Sequence, residues 1–206
     1  ADGYDYLPMR DALLSAFKRP LSAVKYILFG ESPYPRADSA NGYAFWDAAV
    51  TALWSETGFS KAVNRATSLR NLLKMLLYAR GDLIHDFSQP AIAGLDKSRY
   101  HQSLDALFTY LLDQGFMLLN ASLVYEKDRV PYHAKHWLPF METFLNELAF
   151  RQSEVKLLLF GRIAEKIPGH ERFDSLIAEH PYNLSFMKNP DVIQFFKPMD
   201  LLINEK

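Results

Sequence analysis

The sequence has no cysteine. That excludes a disulfide framework, a Cys-ligated zinc, an iron–sulfur cluster and a thiol nucleophile. It also removes any sign of an oxidising compartment, so a cytoplasmic setting is expected. No apolar run approaches the roughly 20 residues of a membrane span. The opening Ala1-Asp2-Gly3-Tyr4 has neither the basic start nor the apolar stretch of a signal peptide, and the missing initiator Met implies processing or trimming. Excess charge of either sign is absent too: 23 basic residues face 24 acidic ones, for a formal charge of −1. A basic coat for nucleic acid is thereby excluded, but a local basic groove is not. Repeats and low-complexity runs are missing. What the chain has in quantity is aromatics, 14% of its residues, which either a core or a site must explain.

At 206 residues the chain fits one domain, expected to span 1–206. Short apolar runs alternate with longer helical patterns. The runs are Val24–Phe29 closed by Gly30, Phe116–Leu119 ending at Asn120, Val155–Phe160 closed by Gly161, and Ser175–Ala178. Continuous apolar runs of this length read as strands buried on both faces. Between them, Leu69, Leu72, Leu73, Leu76 and Leu77 share one helical face after Ser68. Further helices are expected over Ser103–Asp113, Trp137–Phe150 and Phe195–Asn204, and irregular insertions over Asp47–Thr67 and Asp82–His101. The alternation predicts a three-layer α/β/α domain around a central, mostly parallel four-stranded sheet.

Open parallel sheets bind ligands beyond the carboxyl ends of their strands. The segments found there are Gly30-Glu31-Ser32-Pro33-Tyr34-Pro35, Asn120-Ala121-Ser122, Gly161-Arg162 and His180-Pro181-Tyr182-Asn183-Leu184-Ser185. A carboxylate, a hydroxyl, a phenol, an amide and an imidazole thus converge on one end of the sheet.

These segments resemble those of the uracil-DNA glycosylase superfamily, family 1 most closely. Gly30 to Trp46 registers without a gap on the family's G-Q-D-P-Y-H, spacer, G-L-A-F-S. Ser68-Leu69-Arg70-Asn71 is similar to S-L-x-N, and Leu118-Leu119-Asn120 to its L-L-N strand end. Leu158-Leu159-Phe160-Gly161 is similar to L-L-W-G, His180 to Ser185 to H-P-S-P-L-S, and Phe195–Pro198 more loosely to the tail. The motifs occur in the family's order from about Val24 to the C-terminus, and it is their succession that carries weight.

The resemblance implies a protein that flips uracil, or a related damaged base, out of DNA and hydrolyses its glycosidic bond. Phe45 would stack on the base. Asn120 would read its edge with an amide, which offers a donor and an acceptor side by side. Tyr34 would exclude the thymine methyl, and Leu184 would wedge into the duplex. His180 would donate to O2 as charge develops there. Ser68, Ser185 and Arg70 would grip the DNA, with Lys61, Arg65, Lys135 and Lys188 along a groove. The expected partner is single- or double-stranded uracil-containing DNA, bound by a monomer without metal or cofactor, away from membranes. The setting would be the cytoplasm, with the nucleoid, or the nucleus in a eukaryote.

The departures fall in the first motif. The family's activating Asp is Ser32 here, its His is Pro35 and its Gln is Glu31. A hydroxyl cannot deprotonate water as a carboxylate does. Glu31 would either oppose the departing uracil anion or take over as base, and Asp38 or Asp47 could contribute. Three readings follow: a glycosylase with altered or reduced catalysis, an inactive uracil- or DNA-binding relative, and a hydrolase with Ser32 as nucleophile. The last is poor, because Ser32 lacks the G-x-S-x-G setting.

Overall fold

The computed structural model describes residues 6–204, the side chain of Ala164 excepted. In chain order the regular elements begin with β1 (Tyr6–Leu7), β2 (Tyr26–Gly30), β3 (Trp54–Ser55) and β4 (Gly58–Phe59). They continue with α1 (Lys61–Arg65), α2 (Thr67–Arg80), α3 (Gln89–Ala93), α4 (Leu104–Asp113), β5 (Phe116–Asn120) and β6 (Tyr125–Glu126). The last are α5 (Val130–Arg151), β7 (Lys156–Phe160), β8 (Ser175–Ala178) and α6 (Pro190–Phe196). The residues group into two compact units, each drawn from two stretches of chain: Ala1–Ala48 with Leu112–Ile177, and Ala49–Leu111 with Ala178–Lys206.

The first unit is built on a four-stranded sheet in the order β5-β2-β7-β8. β2 runs parallel to β5 and to β7, with Gly30 opposite Asn120 and Tyr26 opposite Lys156. The apolar runs named from sequence are these strands. β5, β7 and the middle of β2 are buried on both faces, whereas β8 at the sheet edge is not: Ile177 is 53% exposed, because an edge strand is covered on fewer sides than expected for Ser175–Ala178. Ile27, Phe29, Met117, Leu119, Leu157 and Leu159 alternate onto one face and share a core with Met141, Leu145 and Leu148 of α5. The chain leaves β2 for β5 on one side and returns to β7 on the other. The carboxyl end of β2 is therefore a topological switch point, where open sheets form crevices.

α5 begins at Val130, seven residues before the expected start at Trp137. Pro131 sits in its first turn, where no amide donor is needed, so it starts the helix. Pro139 lies inside it, and the Thr143 hydroxyl donates to the Pro139 carbonyl at 2.9 Å.

In the second unit the leucine face of α2 is buried as its spacing predicts. The two insertions are less irregular than expected, since they hold the β3–β4 hairpin, α1 and α3. The closing helix lies earlier than Phe195–Asn204. Asn189 caps α6, accepting from the amides of Asp191 and Val192, and Pro190 occupies its first position. After Phe196 the chain tightens through Lys197–Met199 and turns at Asp200 (φ 48°). Leu201, Leu202 and Ile203 are buried by the turn that follows and by the Tyr100–Ile203 bridge.

Candidate functional site

At the carboxyl end of β2 the parallel pairing with β5 continues into both loops. The Ala121 amide donates to the Gly30 carbonyl at 2.9 Å and the Ser122 amide to the Glu31 carbonyl at 3.0 Å. This fixes the loop carrying Glu31 and Ser32 beside Asn120. Gly30 is required here, because a Cβ would lie 2.3 Å from Asn120 Oδ1 and 2.9 Å from the Ala44 Cβ. The missing side chain leaves room for the Asn120 amide across the strand end. Asn120 is 3% exposed, and its Oδ1 lies over Gly30.

Tyr34 and Phe45 meet in the same unit. The Tyr34 hydroxyl donates to the Phe45 carbonyl at 3.3 Å. Burial pushes the Tyr34 phenol well above its ordinary range, and the nearby Asp47 charge adds to this, so the group stays protonated. Phe45 has φ 64°, in the left-handed region that costs a non-glycine residue about 1–2 kcal/mol. Asp47 is buried and accepts from Arg36 at 2.9 Å, which also donates to Ser39 at 3.1 Å. Asp38 is exposed.

Ser32 is half-buried and Glu31 exposed. The Glu31 carboxylate is ion-paired with Lys166. It borders a cavity of about 670 Å³ whose apolar wall is Val130, Pro131, Ala134, Leu138, Ile167 and Pro168. Of the sequence-predicted site residues, Glu31 and the groove residue Lys135 line that cavity; Asn120, Tyr34 and Phe45 do not.

In the second unit, His180 is half-buried and its Nδ1 accepts from the Tyr182 amide at 3.1 Å. A ring whose Nδ1 accepts carries its proton on Nε2 when neutral, which makes Nε2 a donor. The loop is held by Asn71 of α2, whose Nδ2 donates to the Pro181 carbonyl at 2.7 Å and to the Tyr182 carbonyl at 3.3 Å. Leu184 is 70% exposed. Ser185 is exposed and hydrogen-bonds to Glu179. Burial alone would raise the Glu179 carboxyl; the bonds from Ser185 and Asn189 outweigh it and hold the group below its ordinary range.

Ser68 lies in the first turn of α2, whose N-cap position is Ala66. Ala66 has no side chain to accept from the first-turn amides, so they remain available to an anion. Arg70 is half-buried and donates to the Asn64 carbonyl at 2.7 Å, tying α2 to α1. Lys61 and Arg65 are exposed, and the Lys188 ammonium lies 5.3 Å from the Phe87 ring centre. Among the described residues there is no cluster of three or more potential metal ligands and no helix long and apolar enough to cross a membrane.

No protein-family model matches the sequence. The uracil-DNA glycosylase of Mycolicibacterium vanbaalenii is 29% identical over 81% of this chain, and the chain covers 62% of that protein's length. The crystal structure of the wild-type UNG of Nitratifractor salsuginis is 41% identical, with a TM-score of 0.92 over 98% of this chain and 83% of that one. The chain belongs to the uracil-DNA glycosylase family. The mimivirus uracil-DNA glycosylase, 16% identical with a TM-score of 0.59, shares the fold.

Within this member of the uracil-DNA glycosylase family, Arg36 and Lys166 carry no signal in the sequence, while Asn71 and Asp47 stand in or near its motifs without showing the contacts they make. Asn71 holds the His180 loop, although a polar residue on a buried leucine face is itself a signal. Arg36 and Asp47 pair across the first motif, and nothing local in the sequence marks them as partners. Lys166 neutralises Glu31 from 135 residues away.

Proposed function

We propose that this chain is a DNA glycosylase that takes uracil, or a related damaged base, out of the helix and hydrolyses its N-glycosidic bond. Gly30 yielding its side-chain space to the Asn120 amide is the observation that carries the reading. A buried amide at the carboxyl end of the sheet suits the edge of a pyrimidine, and the hydrogen-bonded Tyr34 and Phe45 supply one ring to crowd C5 and another to stack. Water adds to C1′ of the sugar, uracil leaves with the electron pair of the C1′–N1 bond, and the proton the water loses passes through solvent to the released uracil anion. The charge spreads onto O2, where the Nε2–H of His180 is assigned as donor. Leu184 fills the gap left in the duplex, while Ser68 and the first-turn amides of α2 hold a phosphate. The protein acts as a single functional domain and a monomer, without metal or cofactor, wherever the cell keeps its DNA.

Ser32 orients the water but does not take its proton. Removing a positioned general base typically costs 10²- to 10⁴-fold, so turnover should be slow by about that factor. Glu31 is assigned no base role, because its carboxylate is already engaged by Lys166. The test is excision from single-stranded and duplex oligonucleotides carrying one uracil, by wild type, Ser32→Asp and Glu31→Gln. The reading expects slow cutting by wild type, faster cutting by Ser32→Asp and survival of cutting in Glu31→Gln. Loss of cutting in Glu31→Gln would return the base role to Glu31. A second reading, recognition without cutting, is favoured by Ser32 alone. It wins if wild type binds uracil DNA and never cuts it.

A further inference from the structure

Two hydrogen-bonded contacts cross the same pair of segments at the same sequence offset. Tyr34 reaches Phe45 and Arg36 reaches Asp47, each spanning 11 residues. Tyr34 and Arg36 are two apart, as are Phe45 and Asp47, so both contacts join the same two short stretches. One contact joins the Tyr34 hydroxyl to the backbone carbonyl of Phe45, the two residues assigned to the base. The other is an ion pair whose carboxylate side chain is 5% exposed and whose guanidinium is 61% exposed. Arg36 is one partner of this buried carboxylate, and pulling the two segments apart costs that pair. The Asp38 carboxylate faces the same turn through Ser39. Phe45 needs such a restraint, because its left-handed backbone holds only where the surroundings over-determine it. Backbone contacts also tie the segments, from Ala48 to Ser39 and between Ala40 and Asp47.

We infer that the Arg36–Asp47 pair is a strut that sets the gap between Tyr34 and Phe45, and so sets how large a C5 substituent the base may carry. Arg36 and Asp47 are positioning residues: they touch the segments and not the base. The inference rests on the proposed reading that a base lies between those rings.

The test compares binding of thymine-free single strands carrying one uracil with strands carrying one thymine at that position. Wild type, Arg36→Ala, Arg36→Lys and Asp47→Asn are measured at one salt concentration, beside uracil excision. Arg36 is largely exposed, so its replacement should leave a folded protein. Arg36→Ala should lower the preference for uracil on the order of tenfold, the scale on which pockets discriminate single methyl groups. Arg36→Lys, which can still pair, should restore most of it. An unchanged preference in Arg36→Ala overturns the strut. So does loss of excision in Asp47→Asn with the preference intact, which would make Asp47 the water-activating base. A wild type with no uracil preference at all would instead remove the functional reading underneath.

Discussion

Gly30→Ala is the smallest change that tests the recognition site. The added methyl would meet Asn120 Oδ1 at 2.3 Å and the Ala44 Cβ at 2.9 Å. Both are inside the closest approach such atoms tolerate, so something must move. Ala44 is 1% exposed, and its amide is bonded to the Leu118 carbonyl at 3.1 Å, so it has little room. Asn120 is the part that gives, because its Oδ1 is the far end of a rotatable side chain. Overpacking of this kind costs about 1–3 kcal/mol of stability. The larger effect should fall on the base. Displacing the amide forfeits a buried hydrogen bond worth about 1–3 kcal/mol, which is roughly 5- to 150-fold in affinity. The assay pairs a urea titration with binding of uracil-containing single strands. The expected result is a modest fall in midpoint with a disproportionate loss of uracil preference. Full stability and full preference together would refute the idea that Gly30 exists to seat Asn120.

Other expectations follow from the second unit. Asn71→Ala removes the 2.7 Å bond to Pro181 and should lower stability by about 1–3 kcal/mol, read by urea denaturation. It should also slow excision more than it weakens uracil binding, since it frees the loop that carries His180. Leu184→Ala removes an exposed side chain, so its melting temperature should hardly move, while affinity for a uracil duplex falls. Matched affinity for single strands in that variant would locate the defect in the wedge. His101 is 4% exposed with neither ring nitrogen hydrogen-bonded, and burial lowers its pKa below the ordinary 6.5. The folded state therefore binds a proton less readily than the unfolded chain. Its contribution to stability is complete above pH 6.5 and is lost as pH falls from there through the lowered folded value. Urea midpoints between pH 7.5 and about 5 should decline, and His101→Phe should flatten that decline.

The sheet was legible in the sequence because a strand buried on both faces must be apolar at every position, and Tyr26–Gly30, Phe116–Asn120 and Lys156–Phe160 are nearly so. The leucine face of α2 was legible for the matching reason at helical period. The residues at the ends of those strands could be named as well, because their identity and order repeat a known pattern. Misplaced boundaries arose where proline and capping chemistry outweighed apolar period, at Pro131 and at Asn189-Pro190. What the sequence by itself could not decide was pairing across distance. That Gly30 is needed for Asn120, that Glu31 is neutralised by Lys166, and that Arg36 anchors Asp47 are consequences of where the folded backbone places them. A motif specifies which groups are present. Only the tertiary structure decides which charge is buried, which is paired and which amide is given room, because those depend on desolvation and close approach between residues remote in the chain.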